Sequence, residues 1–501
     1  MTLSHGDHVD VIARARIAAP ERFDPFGDEL VDVHMAEGAI VDIAPSGALP
    51  RHGRVVDADG AWLIPGLWDH HVHVTQWAMS ATREPLGHVT TAAQAAAVMS
   101  AVAPGADGRR VGDGFRDAFW TDTPSLADLD AATGDVPTYM INADVHSVWL
   151  NSAALRREQM EHSPDGFLRE EPAFEISRRL NDVPAHLSDP LVSQMARDAA
   201  ARGVVGVVDL DMAWNEEAWA RRIRGGFDGL RVEFGIYPMF LDRALTEGLQ
   251  TGDVARGASS DLARVGPFKV ITDGSLGTRT AACSHPYPGD PGNRGILTVD
   301  PATLVDWMTH ATAGGLSCAV HAIGDVANAH ALDAFAVTGA WGSIEHAQLV
   351  AHSDIPRFAR LGVNASVQPT HAIDDRDLTD TIWADQTAHP YPLKSLADSG
   401  ANLLFGSDAP VSRLDPWAAM AAAAFRTGDG REPWRPDEGV SLRTAVAAST
   451  RGGSNDPALI HPGAPADLVL CAADPLHADD GALRAMVVGA TVLGGRLTHV
   501  A

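Results

Sequence analysis

The sequence predicts an α/β protein: a (β/α)8 TIM barrel with a small β-sandwich domain formed by both termini and an insertion after strand 1. Three observations predict it. The middle of the chain alternates short apolar runs with helical stretches, the pattern of a parallel α/β sheet, and eight such runs can be counted. Both ends consist instead of short β-rich segments broken by Gly, Pro and Asp. The 501 residues also exceed what a single barrel needs, which is about 250.

The terminal segments are 9–18, 29–38 and 39–45 at one end and 466–472, 485–491 and 494–500 at the other. They predict one β-sandwich domain from residues 1–60 and 461–501. The barrel is then expected over 61–460. Its eight runs are 61–73, 203–211, 230–238, 266–274, 316–324, 343–350, 364–369 and 402–410, with helical patterns such as 301–315 and 325–337 between them. The first two runs lie too far apart for one crossover, so residues about 80–200 are expected as an insertion. Within it, 136–144 reads as a strand and 191–203 as a helix ending at Gly203.

Composition narrows the function. Hydrophobic residues make up 45% and charged residues 21%, as in ordinary soluble proteins. The net charge is −27, from 65 acidic and 38 basic residues. So acidic a surface repels phosphate backbones and argues against nucleic acid. Cys283, Cys318 and Cys471 form no CxxC pair and read as buried hydrophobes in a reducing cytoplasm. The opening residues lack a basic region followed by an apolar one, so no signal peptide is expected. The longest strongly apolar stretch is Trp417 to Phe425, against about 20 residues for a membrane span. A cytoplasmic protein without a membrane partner is the expectation.

The strongest chemical signal is PGLWDHHVH, residues 65–73. Strand side chains alternate faces, so Asp69, His71 and His73 point one way and His70 and Val72 the other. Two imidazoles so spaced can chelate one cation, and neutral nitrogen donors suit zinc. Further candidates sit at the carboxyl ends of later strands, where barrel enzymes build their sites. They are Lys269, His321, His346 and Asp408. Singly, each has a plainer explanation: a core histidine, a snorkelling lysine, an aspartate cap. Together with HxH, across five strands, they are costly to bury unless a cation or hydrogen bonds compensate.

PGLWDHHVH, KVITDGSLGTRTA (269–281), HAIGD (321–325), IEHAQLV (344–350), SVQPTH (366–371) and FGSDAPV (405–411) together resemble the amidohydrolase superfamily. More closely they resemble its YtcJ-like metal-dependent hydrolases, the amidohydrolase-3 family. The resemblance runs from about residue 55 to about 475. It implies metal ligation by His71, His73, His321, His346 and Asp408, and by Lys269, a position that binuclear members carboxylate. It implies one or two divalent cations, zinc expected, and makes a homodimer plausible. NADVHSVWLNSAAL (142–155) and GFLRE (166–170) resemble family segments, although Val145 stands where glycine is usual. Asp144, His146, Asn151 and Glu170, with Asp273, Arg279, Gln368 and His371, are substrate-contact candidates weighed against structural hydrogen bonding. Trp120 and Trp149 are pocket walls or plain core.

The expected activity is hydrolysis of a non-peptide C–N bond in a small molecule: an amide, cyclic amide, carbamate or formamide. A cation generates hydroxide near neutral pH. Asp408 shuttles the proton and His321 assists. The alternative is a mononuclear deaminase-like enzyme on the same barrel, with Lys269 unmodified. A non-catalytic scaffold is disfavoured because all six ligand positions are filled. Specificity lives in loops and the insertion, so the substrate is not legible here.

Overall fold

The computed structural model describes residues 4–18, 27, 29–161 and 163–501. Its central sheet has eight parallel strands: Leu67–Val72, Val204–Asp209, Arg231–Ile236, Ala263–Ile271, Cys318–Ala322, Gly342–His346, Asn364–Val367 and Leu403–Phe405. They neighbour one another in chain order. Each of the eight expected runs overlaps one of them, with Ala263–Ile271 and Gly342–His346 starting before their runs at 266 and 343. Closure comes just beyond the last strand. Val72 bridges Ala409 in parallel. Asp408 N–H donates to the His71 carbonyl at 2.7 Å, and His73 N–H to the Ala409 carbonyl at 2.9 Å. Gly406 permits this approach, since a Cβ there would lie 2.7 Å from the His71 backbone nitrogen. The strands are apolar on both faces because helices cover the outside. Val204, Val207, Phe268, Val270, Val320 and Ile344 are fully buried in one core with those helices. The expected helices appear as Pro301–Ala313 and Asp325–Thr338.

The first run, 61–73, divides between two sheets. Leu67–Val72 enters the barrel, whereas Trp62–Pro65 pairs antiparallel with Leu468–Cys471 and parallel with Arg16–Ile17. Residues 62–65, expected at the start of the barrel, thus lie in the terminal sheet. Alternation alone could not locate this break, because both halves are equally apolar. The terminal sheet combines both chain ends, and all six expected segments contribute to it. Val55–Asp57 is an additional strand. Val11–Ile17 serves both halves of the sheet. It bends at Arg14, where φ is +57° and the register shifts, as a β-bulge allows. A separate apolar core of Ile12, Val31, Val33, Leu63, Leu468, Leu470 and Leu497 fills the module.

The insertion carries a five-stranded sheet of its own, built from segments between residues 84 and 169. Thr138–Asn142 is the strand expected over 136–144. Its side chains alternate between two cores, Met140 packing on one face and Tyr139 and Ile141 on the other. The helix expected over 191–203 starts earlier, at Ala185, and ends at Ala200. Pro190 lies inside it and lacks the N–H of an interior helical residue. The buried stripe Ser188, Val192, Met195, Ala196 and Ala199 continues through it and holds the helix together. Cys283, Cys318 and Cys471 are buried free thiols. No helix among the described residues is long and apolar enough to cross a membrane.

Candidate metal centre

The first strand does what its alternation requires. His70 turns away from the barrel interior, its Nε2 2.9 Å from the Thr450 carbonyl. His71 and His73 turn inward with ring centroids 5.5 Å apart. Asp69 lies beneath them and accepts the backbone N–H groups of Ser407 at 2.9 Å and His71 at 3.2 Å. Burial pushes its carboxyl up to about 7.

The other strands bring their candidates to the same place. His346 ends the sixth strand with φ +73°, and Asp408 follows the eighth with φ +57°. These left-handed turns break period-two alternation. Adjacent residues Glu345 and His346 can therefore both reach His71: Glu345 Oε2 lies 2.7 Å from its Nδ1, and the His346 ring centroid lies 4.9 Å away. His321 stands 4.5 Å from His346, ring to ring. Asp408 Oδ1 is 3.5 Å from His71 Nε2 and 3.2 Å from His73 Nε2. Ligand atoms of His71, His346 and Asp408 all fall within 4.8 Å of one another.

The donor set fits a divalent cation. His73 Nδ1, Lys269 Nζ, His321 Nε2, His346 Nδ1 and Asp408 Oδ1 are buried without hydrogen-bond partners. An unpaired buried polar atom is costly, and here five belong to side chains that line one cavity, with His321 Nε2 also 3.4 Å from Asp273 Oδ1. Imidazole nitrogens and a carboxylate are the donors zinc and similar ions take.

Electrostatics favour the ligand-competent forms of His71, His346 and Asp408, whereas at His73 burial acts downward but the Asp408 contact outweighs it and raises the ring. Burial, helped by Lys269 and opposed by Asp408 and Glu345, pushes His71 down to about 4. Burial holds His346 well below the usual range. It also pushes Lys269 down to about 8, against the pull of Glu345 and Asp408. At Asp408 burial acts upward, but the His71 charge and the His73 contact outweigh it and keep the carboxyl well below its ordinary value.

These side chains line the floor and walls of a cavity of about 980 Å³ including its open mouth. The insertion reaches in through Asp144 and His146. His146 pairs with Glu170 at 2.9 Å, and its ring lies 5.5 Å from that of His321. Burial disfavours charge on this ring, but Glu170 outweighs burial and pushes it up to about 9. Val145, between Asp144 and His146, adopts φ +56°, the conformation glycine takes freely. The valine therefore keeps the backbone shape that glycine would give.

The softer candidates divide. Asp144, His146 and His371 line the cavity. Glu170 stands behind His146 and also accepts the Thr280 hydroxyl at 2.6 Å. Gln368 lies beside the cavity, its Nε2 3.4 Å from His71 Nδ1. Arg279 is exposed and is not part of the cavity wall. Asp273 staples the loops, accepting the N–H groups of Ile323, Ala282 and Gly324 at 2.8–3.0 Å. Asn151 caps the helix Ser152–Glu158. Trp149 is core, stacked on Phe167, with Trp120 against it. Sequence reasoning missed Glu345, whose signal was adjacency to His346. It also missed Gln76 and Gln348, whose place in the cavity wall follows only from loop geometry.

Known proteins share this architecture. A solved structure of an uncharacterized metal-dependent hydrolase from Pyrococcus horikoshii OT3 superposes with a TM-score of 0.78 at 24% identity, covering 94% of this chain and 99% of that one. The putative amidohydrolase YtcJ of Bacillus subtilis (strain 168) is 24% identical over 89% of this chain and 90% of its own length. The N-substituted formamide deformylase of Arthrobacter pascens is 23% identical over 90% and 91%. Residues 54–499 match the sequence model described as "Amidohydrolase family", a span that holds every candidate ligand and all eight barrel strands. On that match the chain belongs to the amidohydrolase family and is an amidohydrolase enzyme.

Proposed function

We propose that the chain hydrolyses an amide, cyclic amide, carbamate or formamide of a small molecule at the cation site. The observation that carries this reading is the close set of His71, His346 and Asp408 ligand atoms, with further unpartnered polar atoms of His73, Lys269 and His321 around the same cavity. His71, His73, Lys269, His321, His346 and Asp408 would hold one or two divalent cations, zinc by donor chemistry. A cation there supplies acidified water and polarises the scissile carbonyl.

The chain's own groups do the rest. Asp408 is held as a carboxylate, so it accepts the attacking water's proton and returns it to the leaving nitrogen. Glu345 accepts from His71 Nδ1, which turns Nε2 toward Asp408. His146, kept charged by Glu170, suits negative charge developing on the carbonyl oxygen. Lys269, pushed down to about 8, is an amine able to add to CO2. Its nitrogen bonds to carbon, one proton leaves, and a bidentate carbamate results. In the mononuclear reading Lys269 stays uncarboxylated, and its ammonium form is the one Glu345 and Asp408 attract. Two ions per chain with carbamate mass on Lys269 favour the binuclear site; one ion with an unmodified lysine favours the other.

Similarity to the formamide deformylase supports a C–N bond and makes formamides the first compounds to assay. Zinc-loaded protein is expected to hydrolyse at least one N-substituted formamide, N-acyl amine or lactam. No turnover across all three classes in a metal-replete, folded preparation would remove this reading.

A further inference from the structure

The cavity holds more carboxylates than its proposed chemistry uses. Asp117 and Asp144, from the insertion, and Asp374 and Asp375, at the end of the helix Pro369–Asp374, all line it. One guanidinium lies among them: Arg116, 3.7 Å from Asp374. The other three carboxylates have only neutral side-chain donors. Asp117 accepts the Asn142 amide at 2.6 Å, Asp144 the Ser275 hydroxyl at 2.7 Å and Asp375 the Tyr391 hydroxyl at 2.9 Å. Burial and the neighbouring Asp144 push Asp117 up to about 6, outweighing the opposing charge of Arg169.

A second observation is independent of these carboxylates. Gln348 is 4% exposed and lines the same cavity, and its Oε1 has no donor. It adjoins Asp375 by two routes. Its Nε2 lies 3.4 Å from Nδ1 of His371, whose carbonyl accepts the Asp375 N–H. Its own carbonyl accepts the N–H of Tyr391, whose hydroxyl donates to Asp375. An amide oxygen buried without a donor is unfavourable until a ligand supplies one.

We propose that this wall is a subsite for a cationic group, an ammonium or guanidinium carried by the substrate. The proposal rests on the C–N hydrolase reading and narrows it to amides or formamides of basic molecules. A cation with several N–H donors satisfies both halves of the wall, the carboxylates by charge and Gln348 Oε1 by hydrogen bonding. Phe119 and Phe174, aromatic rings of the kind that attract cations, line the same cavity. The net charge of −27 draws cations toward the molecule from a distance.

The test is a matched series of formamides on a five-carbon chain ending in ammonium, methyl or carboxylate. With metal-loaded protein, kcat/KM is expected to be about tenfold higher for the ammonium end than for methyl, and lowest for carboxylate. The preference should shrink as salt rises. Asp117→Asn and Asp375→Asn, each checked for an unchanged melting transition, should move the ammonium-to-methyl ratio toward one through KM. Equal or better turnover of the methyl or carboxylate compound by the wild type overturns the proposal. If none of the three is cleaved, the hydrolase reading fails on these substrates, and calorimetry with the five-carbon diamine reads the subsite alone. Diamine binding that weakens in Asp117→Asn and Asp375→Asn supports it, and no binding to the wild type overturns it.

Discussion

Asp408→Asn keeps the side chain's shape and removes its basicity. Because the carboxylate is both a ligand candidate and the proposed proton carrier, kcat should fall by roughly 10²–10⁴-fold. Metal content measured on the same preparation separates the roles, and full activity in a metal-loaded variant removes the shuttle. Glu345→Gln leaves His71 without its carboxylate partner at 2.7 Å. Metal affinity, read by competition with a chelator, should drop about 10–100-fold. The His146–Glu170 pair gives a pH signature. His146 titrates near 9 in the fold, against about 6.5 unfolded. A raised value stabilises below the unfolded value and is lost as pH rises through the folded one. The melting difference between wild type and Glu170→Gln should be greatest near pH 6, on the order of 3 kcal/mol, and should fade by about pH 10. A difference that grows with pH would contradict the pairing.

At the scale of elements, the site depends on how the eighth strand meets the first. Gly406 gives the clearest test. Adding a methyl group there places a carbon 2.7 Å from both His71 Cβ and the His71 nitrogen. Gly406→Ala should destabilise the fold by about 1–3 kcal/mol and weaken metal binding as well, because His71 and Asp408 sit on the two strands forced apart. Melting temperature and metal stoichiometry check both effects. The inward-facing His71/His73 pair was legible from strand period two, and the other candidates from their places in or after later strands. Glu345 was not. Simple alternation puts it and His346 on opposite faces, and the positive φ that defeats alternation has no mark in the sequence. The helix expected over 191–203 begins at Ala185 and runs through Pro190, because tertiary packing of one helix face outweighs the local breaker.

For the whole molecule, a cation held at the proposed site would link distant strands and so should stabilise the fold. A metal at about 100 times its dissociation constant adds about 2.7 kcal/mol. Chelation should lower the melting temperature and re-addition restore it, measured by calorimetry at fixed pH. The two chain ends are also joined. Trp62–Pro65 depends on Leu468–Cys471 for a partner, and Arg231 on barrel strand three holds Asp467 at 2.6 Å. The terminal module and the barrel are thus tied by chain that runs between the two sheets and by side-chain contacts such as Arg231–Asp467 and Arg496–Asp228.

By itself the sequence determined the barrel, the composite terminal sheet, the inserted unit and the six candidate ligands. All of these are written in local patterns: apolar period, strand ends and spacing within one strand. Only the tertiary structure decided which groups support the ligands, where the first run splits between sheets, that Arg279 stays outside, and that carboxylates from two distant segments share one wall. Those are contacts between residues far apart in the chain, set by loop paths and left-handed backbone turns, and no periodicity along a single chain encodes them.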